Sequence, residues 1–246
     1  EKGTTENAPT KEDLFFENYN CRLVLTRGGY FKKLSVQSAR SVEEHKLKEG
    51  DFIVYEEDTD NRGDVLFFTD KGQIYRARVA DFDLTKASQM GDYVPAKLSM
   101  EDDEHVVGAQ MIYDIVPDDK MIYIFENGKG VKIPMSAYEA KTRRKKIAGA
   151  FSAASRPIAA FYEKKKTPLT VFIKADNGKG ILIKSTLIAE KTTRTAGGTQ
   201  LIQLTKKAKA DFASVRIDDL GENAQKCKKL VVPAAGVAYG KLKLDV

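Results

Sequence analysis

Apolar residues along this chain come in short blocks, each followed by a glycine turn and then by a second block richer in cations. Residues 63–78 read GDVLFFTDKGQIYRAR, and Val65, Leu66, Phe67, Phe68 and Thr69 are each β-branched, aromatic or aliphatic. Apolar side chains at both odd and even positions predict a strand covered on both faces. Asp70, Lys71 and Gly72 then turn the chain, and Gly72 can take the positive φ of a tight turn. Residues 73–78 return as a second strand, with Ile74, Arg76 and Arg78 on one side and Tyr75 and Ala77 on the other.

This hairpin recurs. Residues 23–33 (LVLTRGGYFKK), 121–132 (MIYIFENGKGVK) and 169–182 (LTVFIKADNGKGIL) repeat the order of apolar strand, turn and second strand. The turn glycines Gly29, Gly72, Gly128 and Gly178 are 43, 56 and 50 residues apart. Strand-bearing units at that spacing predict the blades of a propeller, which must stack because one unit cannot bury both faces of its own strands. The alternative is a β-sandwich holding unrelated hairpins.

The repeat divides the chain into units at about 20–62, 63–118, 119–166 and 167–218, with a closing tail at 219–246. Four strands per unit are expected, with the later ones at 51–55, at 93–98 and 105–113, at 157–162, and at 199–204 and 211–217. The tail has strand character at 228–233 and 236–244, and is expected to pair with a short N-terminal strand at 13–16 as a composite fifth blade. Residues 1–12 are polar and read as a linker, so the chain is expected to be a domain of a longer protein whose body is 13–246.

Composition narrows this picture only slightly. With 246 residues the chain can bury a sizeable core, as one large β domain or two small ones. Lys and Arg number 41 against 35 Asp and Glu, a net charge of +6, so only the placement of cations could make a binding surface. Two cysteines, Cys21 and Cys227, do not make a disulfide scaffold and point to a reducing cytoplasm. No apolar run reaches the roughly 18 residues of a membrane span and no signal peptide is visible, so no membrane role is expected.

Catalytic and metal chemistry find little support. His45 and His105 lie in different units without cysteine or histidine at ligand spacing. The NGKG sequences at 127–130 and 177–180 join strand to strand and do not fit a phosphate-binding loop. The acidic run 101–104 reads as a solvated loop. No catalytic residue, metal site or cofactor is predicted.

The positive signal is repeated charge after each hairpin: Lys46 and Lys48 (with Arg40) in the first unit, Lys86 in the second, Lys141, Arg143, Arg144, Lys145 and Lys146 in the third, Lys191 and Arg194 in the fourth. In stacked blades such positions share one rim, and a basic rim suits a phosphate backbone, since each neutralised phosphate releases counterions. Nothing suggests a recognition helix for base readout. The expectation is sequence-tolerant binding to a bent duplex.

The elements LTRGGYFKK, DVLFFTDKGQIYRARVADFD, ENGKGVKIPMSAYEAKTRRKK and KTTRTAGGTQLIQL, in that order, resemble the C-terminal domain of the A subunit of bacterial type IIA topoisomerases, DNA gyrase and topoisomerase IV. KLKEGD and LVVPAAGVAY look most like topoisomerase IV-type A subunits of clostridia and their relatives. The resemblance implies an all-β β-pinwheel, a ring of about four to five four-stranded blades that exchange strands, with duplex DNA on its outer basic edge. It implies a non-catalytic domain in the cytoplasm, at the nucleoid. Its parent would be an ATP-dependent type II DNA topoisomerase, with a dimeric A subunit paired with an ATPase B subunit. It also implies an upstream breakage–reunion domain holding the active-site tyrosine, so Tyr30, Tyr75, Tyr123 and Tyr138 are not read as nucleophiles. Gyrases carry Q-R-R-G-G-K-G in the connector of the first blade. Here that connector is RSVEEHKLKEGD, which favours relaxation and decatenation over DNA wrapping for negative supercoiling. Outside this family, the same pattern would suit a propeller serving as a protein-interaction scaffold or a stand-alone propeller enzyme.

Overall fold

In the computed structural model, which describes residues 16–41 and 44–246, the two faces of each apolar strand are buried against different neighbours. Strand Asp64–Thr69 shows why the alternation is apolar throughout. Val65 and Phe67 pack with Leu23, Leu25 and Phe31 of the preceding hairpin. Leu66 and Phe68 pack with Met121 and Tyr123 of the following one and with Phe151 of its connector. A third layer joins Ile122 and Ile124 to Val171, Ile173, Ile181 and Ile183. Fully burying each such side chain contributes about 1.5–3 kcal/mol, so a polar residue on either face would weaken a contact between blades.

The hairpins expected from the glycine spacing are present. Asn20–Thr26 pairs with Tyr30–Ser35, Asp64–Thr69 with Ile74–Arg78, Lys120–Phe125 with Lys129–Pro134, and Thr170–Ala175 with Lys179–Lys184. Each anchors one of the four larger sheets. Inside each hairpin lies a strand of the same unit: Ile53–Asp60, Val106–Ile112, Pro157–Glu163 and Ala210–Ser214. These inner strands surround a central cavity of about 440 Å³, lined by Tyr55, Glu57, Gln110, Phe161 and Ala213 among others.

The outer strand of each sheet comes from the following unit. Leu84–Thr85 and Asp92–Tyr93 join the first sheet, Lys146–Ile147 the second and Thr199–Gln200 the third. In the fourth sheet Val237–Ala238 takes this place against Lys179 and Gly180. The fold is a β-pinwheel of four blades with exchanged strands.

Two expectations are corrected, and a third falls mostly outside the described residues. The tail, expected to pair with 13–16 in a composite fifth blade, supplies the outer strand of the fourth sheet as Val237–Ala238. Of the strand expected at 13–16 only Phe16 falls within the described residues, and it lies in no strand; 1–12 and 13–15 lie outside them. Residues 93–98 are mainly the helix Val94–Lys97, where Pro95 fits the first turn. Residues 199–204 break at Leu201, after which Ile202–Gln203 pairs in parallel with Ala234–Ala235.

Blade four meets blade one directly. The Arg27 guanidinium donates to the Asp211 carbonyl at 3.0 Å and lies over the rings of Phe52 and Phe212. Phe52 shares a cluster with Phe172, Phe212, Tyr239 and Leu242.

Several cations of the second arms are held inside the fold by hydrogen bonds or ion pairs. At the fourth position after the turn glycine, Lys33 donates to Asn61 Oδ1 at 2.8 Å and the Val79 carbonyl at 3.1 Å. The equivalent Arg76 pairs with Asp64 at 2.5 Å, and Lys132 lies 3.0 Å from Glu163. The acidic run also splits. Glu101, Asp102 and Asp103 are exposed as expected, but Glu104 is buried. Thr69, Gln73 and Tyr75 donate to its carboxylate, as does the Glu101 amide. Burial disfavours its charge, yet those hydrogen bonds outweigh it and hold its pKa below the ordinary value.

Candidate nucleic-acid interface

Strand exchange decides where each candidate cation sits. In every blade the fourth residue after the turn glycine meets a donated segment. Lys33 pairs with Leu84, and the Arg76 amide donates to the Lys145 carbonyl at 2.8 Å. Lys132 bridges Glu190, and Leu182 bridges Lys228. The connector that follows one hairpin therefore decorates the outer edge of the blade before it.

Lys86 lies beyond the outer strand of blade one and is exposed. Lys46 and Lys48 reach the same edge, because the first connector docks there. The Lys46 amide donates to the Ala87 carbonyl at 2.8 Å. Beneath it the buried Lys32 ammonium donates to the carbonyls of Lys46 and Ala87 at 3.0 and 2.9 Å. Loss of water on burial lowers the Lys32 pKa. Lys48 extends over the ring of Tyr30, which contacts Tyr93. Glu44 and Glu49 are exposed on the same connector.

The densest run sits on blade two. Lys141, Arg143, Arg144, Lys145 and Lys146 are all exposed. Lys146 pairs with Tyr75 in the sheet and lies over its ring, and Arg143 contacts Asp64 at 3.6 Å and Asp114 at 3.8 Å. On blade three the Lys191 amide donates to the Lys132 carbonyl at 2.9 Å, which fixes the start of the loop that carries Arg194. Lys191 is exposed and Arg194 half-buried. Among the described residues no ion pair engages Lys46, Lys48, Lys86, Lys141, Arg144, Lys145, Lys191 or Arg194.

Blade four carries none of the candidates named from the sequence. Its edge holds Lys226, Lys228 and Lys229 of the tail and Lys184 of the hairpin, which the charge pattern along the chain did not single out. The signal was the tail's place at the outer edge, which the pairings of Leu182 with Lys228 and of Gly180 with Val237 reveal.

The chain was also compared with known proteins. A family model described as DNA gyrase C-terminal domain, beta-propeller, matches residues 63–112 and 175–215. The A subunit of DNA topoisomerase 4 from Staphylococcus aureus is 30% identical over 108 residues, covering 43% of this chain and 14% of that protein. In part of its length, then, the chain is similar to the DNA gyrase C-terminal domain and to a topoisomerase 4 A subunit. It spans a small part of its curated relatives' length. Two solved structures share the fold. The C-terminal domain of DNA topoisomerase IV aligns with a TM-score of 0.63 at 16% identity, covering 81% of this chain and 62% of that one. The DNA gyrase A C-terminal domain aligns with a TM-score of 0.56 at 15% identity, covering 91% and 81%. Among the described residues no helix is long and apolar enough to cross a membrane.

Proposed function

We propose that this chain is a non-catalytic domain of a type IIA topoisomerase A subunit that holds and bends duplex DNA along its outer rim to present a segment for strand passage. The observation that carries this reading is the placement, by strand exchange, of unpaired exposed cations on the edges of successive blades. The names of its relatives supply the topoisomerase context. A phosphate backbone needs such spaced cations and no base-reading helix. Titrating a duplex of about 30 bp at rising salt tests it. Affinity is expected to fall with a log–log slope of several units, at about 0.9 per phosphate contacted. Binding that ignores salt, or no binding at low salt, would favour a protein-interaction scaffold instead.

We further propose that the parent acts in the manner of topoisomerase IV, as a dimeric A subunit with an ATPase B subunit in the cytoplasm. The first connector lacks the glycine-rich basic box, and its Lys46 and Lys48 are offset by Glu44 and Glu49. Wrapping bends a duplex through a large angle, which costs on the order of 1–6 kcal/mol for a 20–30 bp site. The reconstituted enzyme with ATP is expected to relax and decatenate plasmid DNA. Efficient negative supercoiling of a relaxed plasmid would assign it to the gyrases.

A further inference from the structure

Leu230 and Val231 are the most exposed large hydrophobic residues among those described, at 78% and 70%. They sit in the tail loop 229–236 on the outer edge of blade four. That loop occupies the place of loop 191–198 on blade three. Each begins where a backbone amide, of Lys191 or Lys229, donates to the fourth residue after the turn glycine. Each ends just before the short outer strand, Thr199–Gln200 or Val237–Ala238. Blade three offers Arg194 from this loop, whereas blade four offers two aliphatic side chains.

The loop is held at both ends. The Lys229 amide donates to the Leu182 carbonyl at 2.9 Å, and the Ala234 amide to the Leu201 carbonyl at 2.9 Å. Cys227, just upstream, is buried in the cluster of Phe172, Phe212 and Tyr239. Gly236 lies so close to the hairpin that a Cβ there would fall 2.8 Å from that of Lys179. Lys226 and Lys228 are exposed and Lys229 is half-buried. A fixed apolar tip within a frame of cations matches a base-pair step between two phosphate backbones. The cations meet phosphates, and the aliphatic groups gain only if they leave water for the stacked bases.

We propose that Leu230 and Val231 form a wedge that enters a base-pair step of the duplex held on the rim, unstacking it and bending the DNA at blade four. The proposal rests on the rim reading above. Unstacking is easiest at pyrimidine–purine steps, so bending is expected to be strongest on duplexes that carry a central TA step.

The test uses the 246-residue chain and a duplex of about 30 bp with a central TA step. The duplex carries an energy-transfer pair at its ends and 2-aminopurine at that step. Wild type is expected to shorten the end-to-end distance and brighten 2-aminopurine. Leu230→Ser with Val231→Ser, and Leu230→Ala alone as a milder change, should lose both signals in the complex while affinity stays within about threefold. Both side chains are in water, so folding should be unchanged, which circular dichroism checks. Unaltered bending and 2-aminopurine signals in these variants would overturn the wedge while leaving the rim reading intact. If wild type fails to bind the duplex, both readings fall. If the substitutions instead abolish binding to anionic phosphatidylserine vesicles and leave DNA bending unchanged, the tip is a lipid contact and the wedge is wrong.

Discussion

Replacing Arg143, Arg144, Lys145 and Lys146 together with alanine is expected to weaken duplex binding about a hundredfold at 0.1 M salt, with a salt slope shallower by about two to four units. All four side chains are exposed on the edge of blade two, and Arg144 and Lys145 have no carboxylate partner among the described residues. Arg143 and Lys146 make only long ion pairs, at 3.6 Å or more, and these are open to exchange for phosphate. Exposed pairs of this kind are worth about 0–1 kcal/mol, so stability should barely change. Asp64 keeps Arg76 at 2.5 Å in any case. The same change at Lys46 and Lys48 is expected to reduce affinity by tenfold or less, about one phosphate's share. Equal losses from the two variants, read by fluorescence anisotropy in matched salt, would contradict the ranking.

The second large effect is on stability. Lys132→Ala is expected to destabilise the domain by about 3 kcal/mol, because it leaves Glu163 charged and buried without its partner. Both side chains are nearly enclosed, at 10% and 11% exposed. Changing both residues to apolar ones of similar size, Lys132→Met with Glu163→Leu, should recover most of that loss, since no charge is then stranded. Urea unfolding of the two variants beside wild type measures the difference. A single variant no less stable than the double would show that the pair is effectively solvated.

The contrast between these two sets of cations also marks what the sequence could and could not reveal. Hairpins were legible, because Gly29, Gly72, Gly128 and Gly178 punctuate strands that are apolar on both faces. That property follows from stacking a blade on each side, as Val65 and Leu66 show by packing in opposite directions. The exchanged strands were not legible. Leu84–Thr85, Lys146–Ile147, Thr199–Gln200 and Val237–Ala238 are two residues long, too short to carry a periodicity, and their partners lie far away in sequence. Consequently the run at 141–146 was placed with its own unit, although it decorates blade two. Lys226, Lys228 and Lys229 were passed over in a tail read only as strand. Lys33 and Lys132 add to the cations of the second arms in sequence, yet Asn61 and Glu163, far away along the chain, hold them inside the fold. Glu104 was hidden by its acidic neighbours, since only the fold brings Thr69, Gln73 and Tyr75 to it.

The claim that DNA runs along the outer rim is tested most directly by lysine footprinting. The chain, free or bound to a duplex of about 30 bp, is briefly acetylated at low salt, where phosphate contacts are strongest, and the modified lysines are read by mass spectrometry. Lys86, Lys141, Lys145, Lys146 and Lys191 are expected to be protected by the duplex, with Lys228 joining them on blade four. Lys164, Lys165 and Lys166 follow the inner strand of blade three, and Lys206 and Lys207 precede that of blade four. All five are exposed and should react equally in both states. Protection of these inner-strand lysines, with the rim left reactive, would place the duplex across a face of the ring and contradict the account.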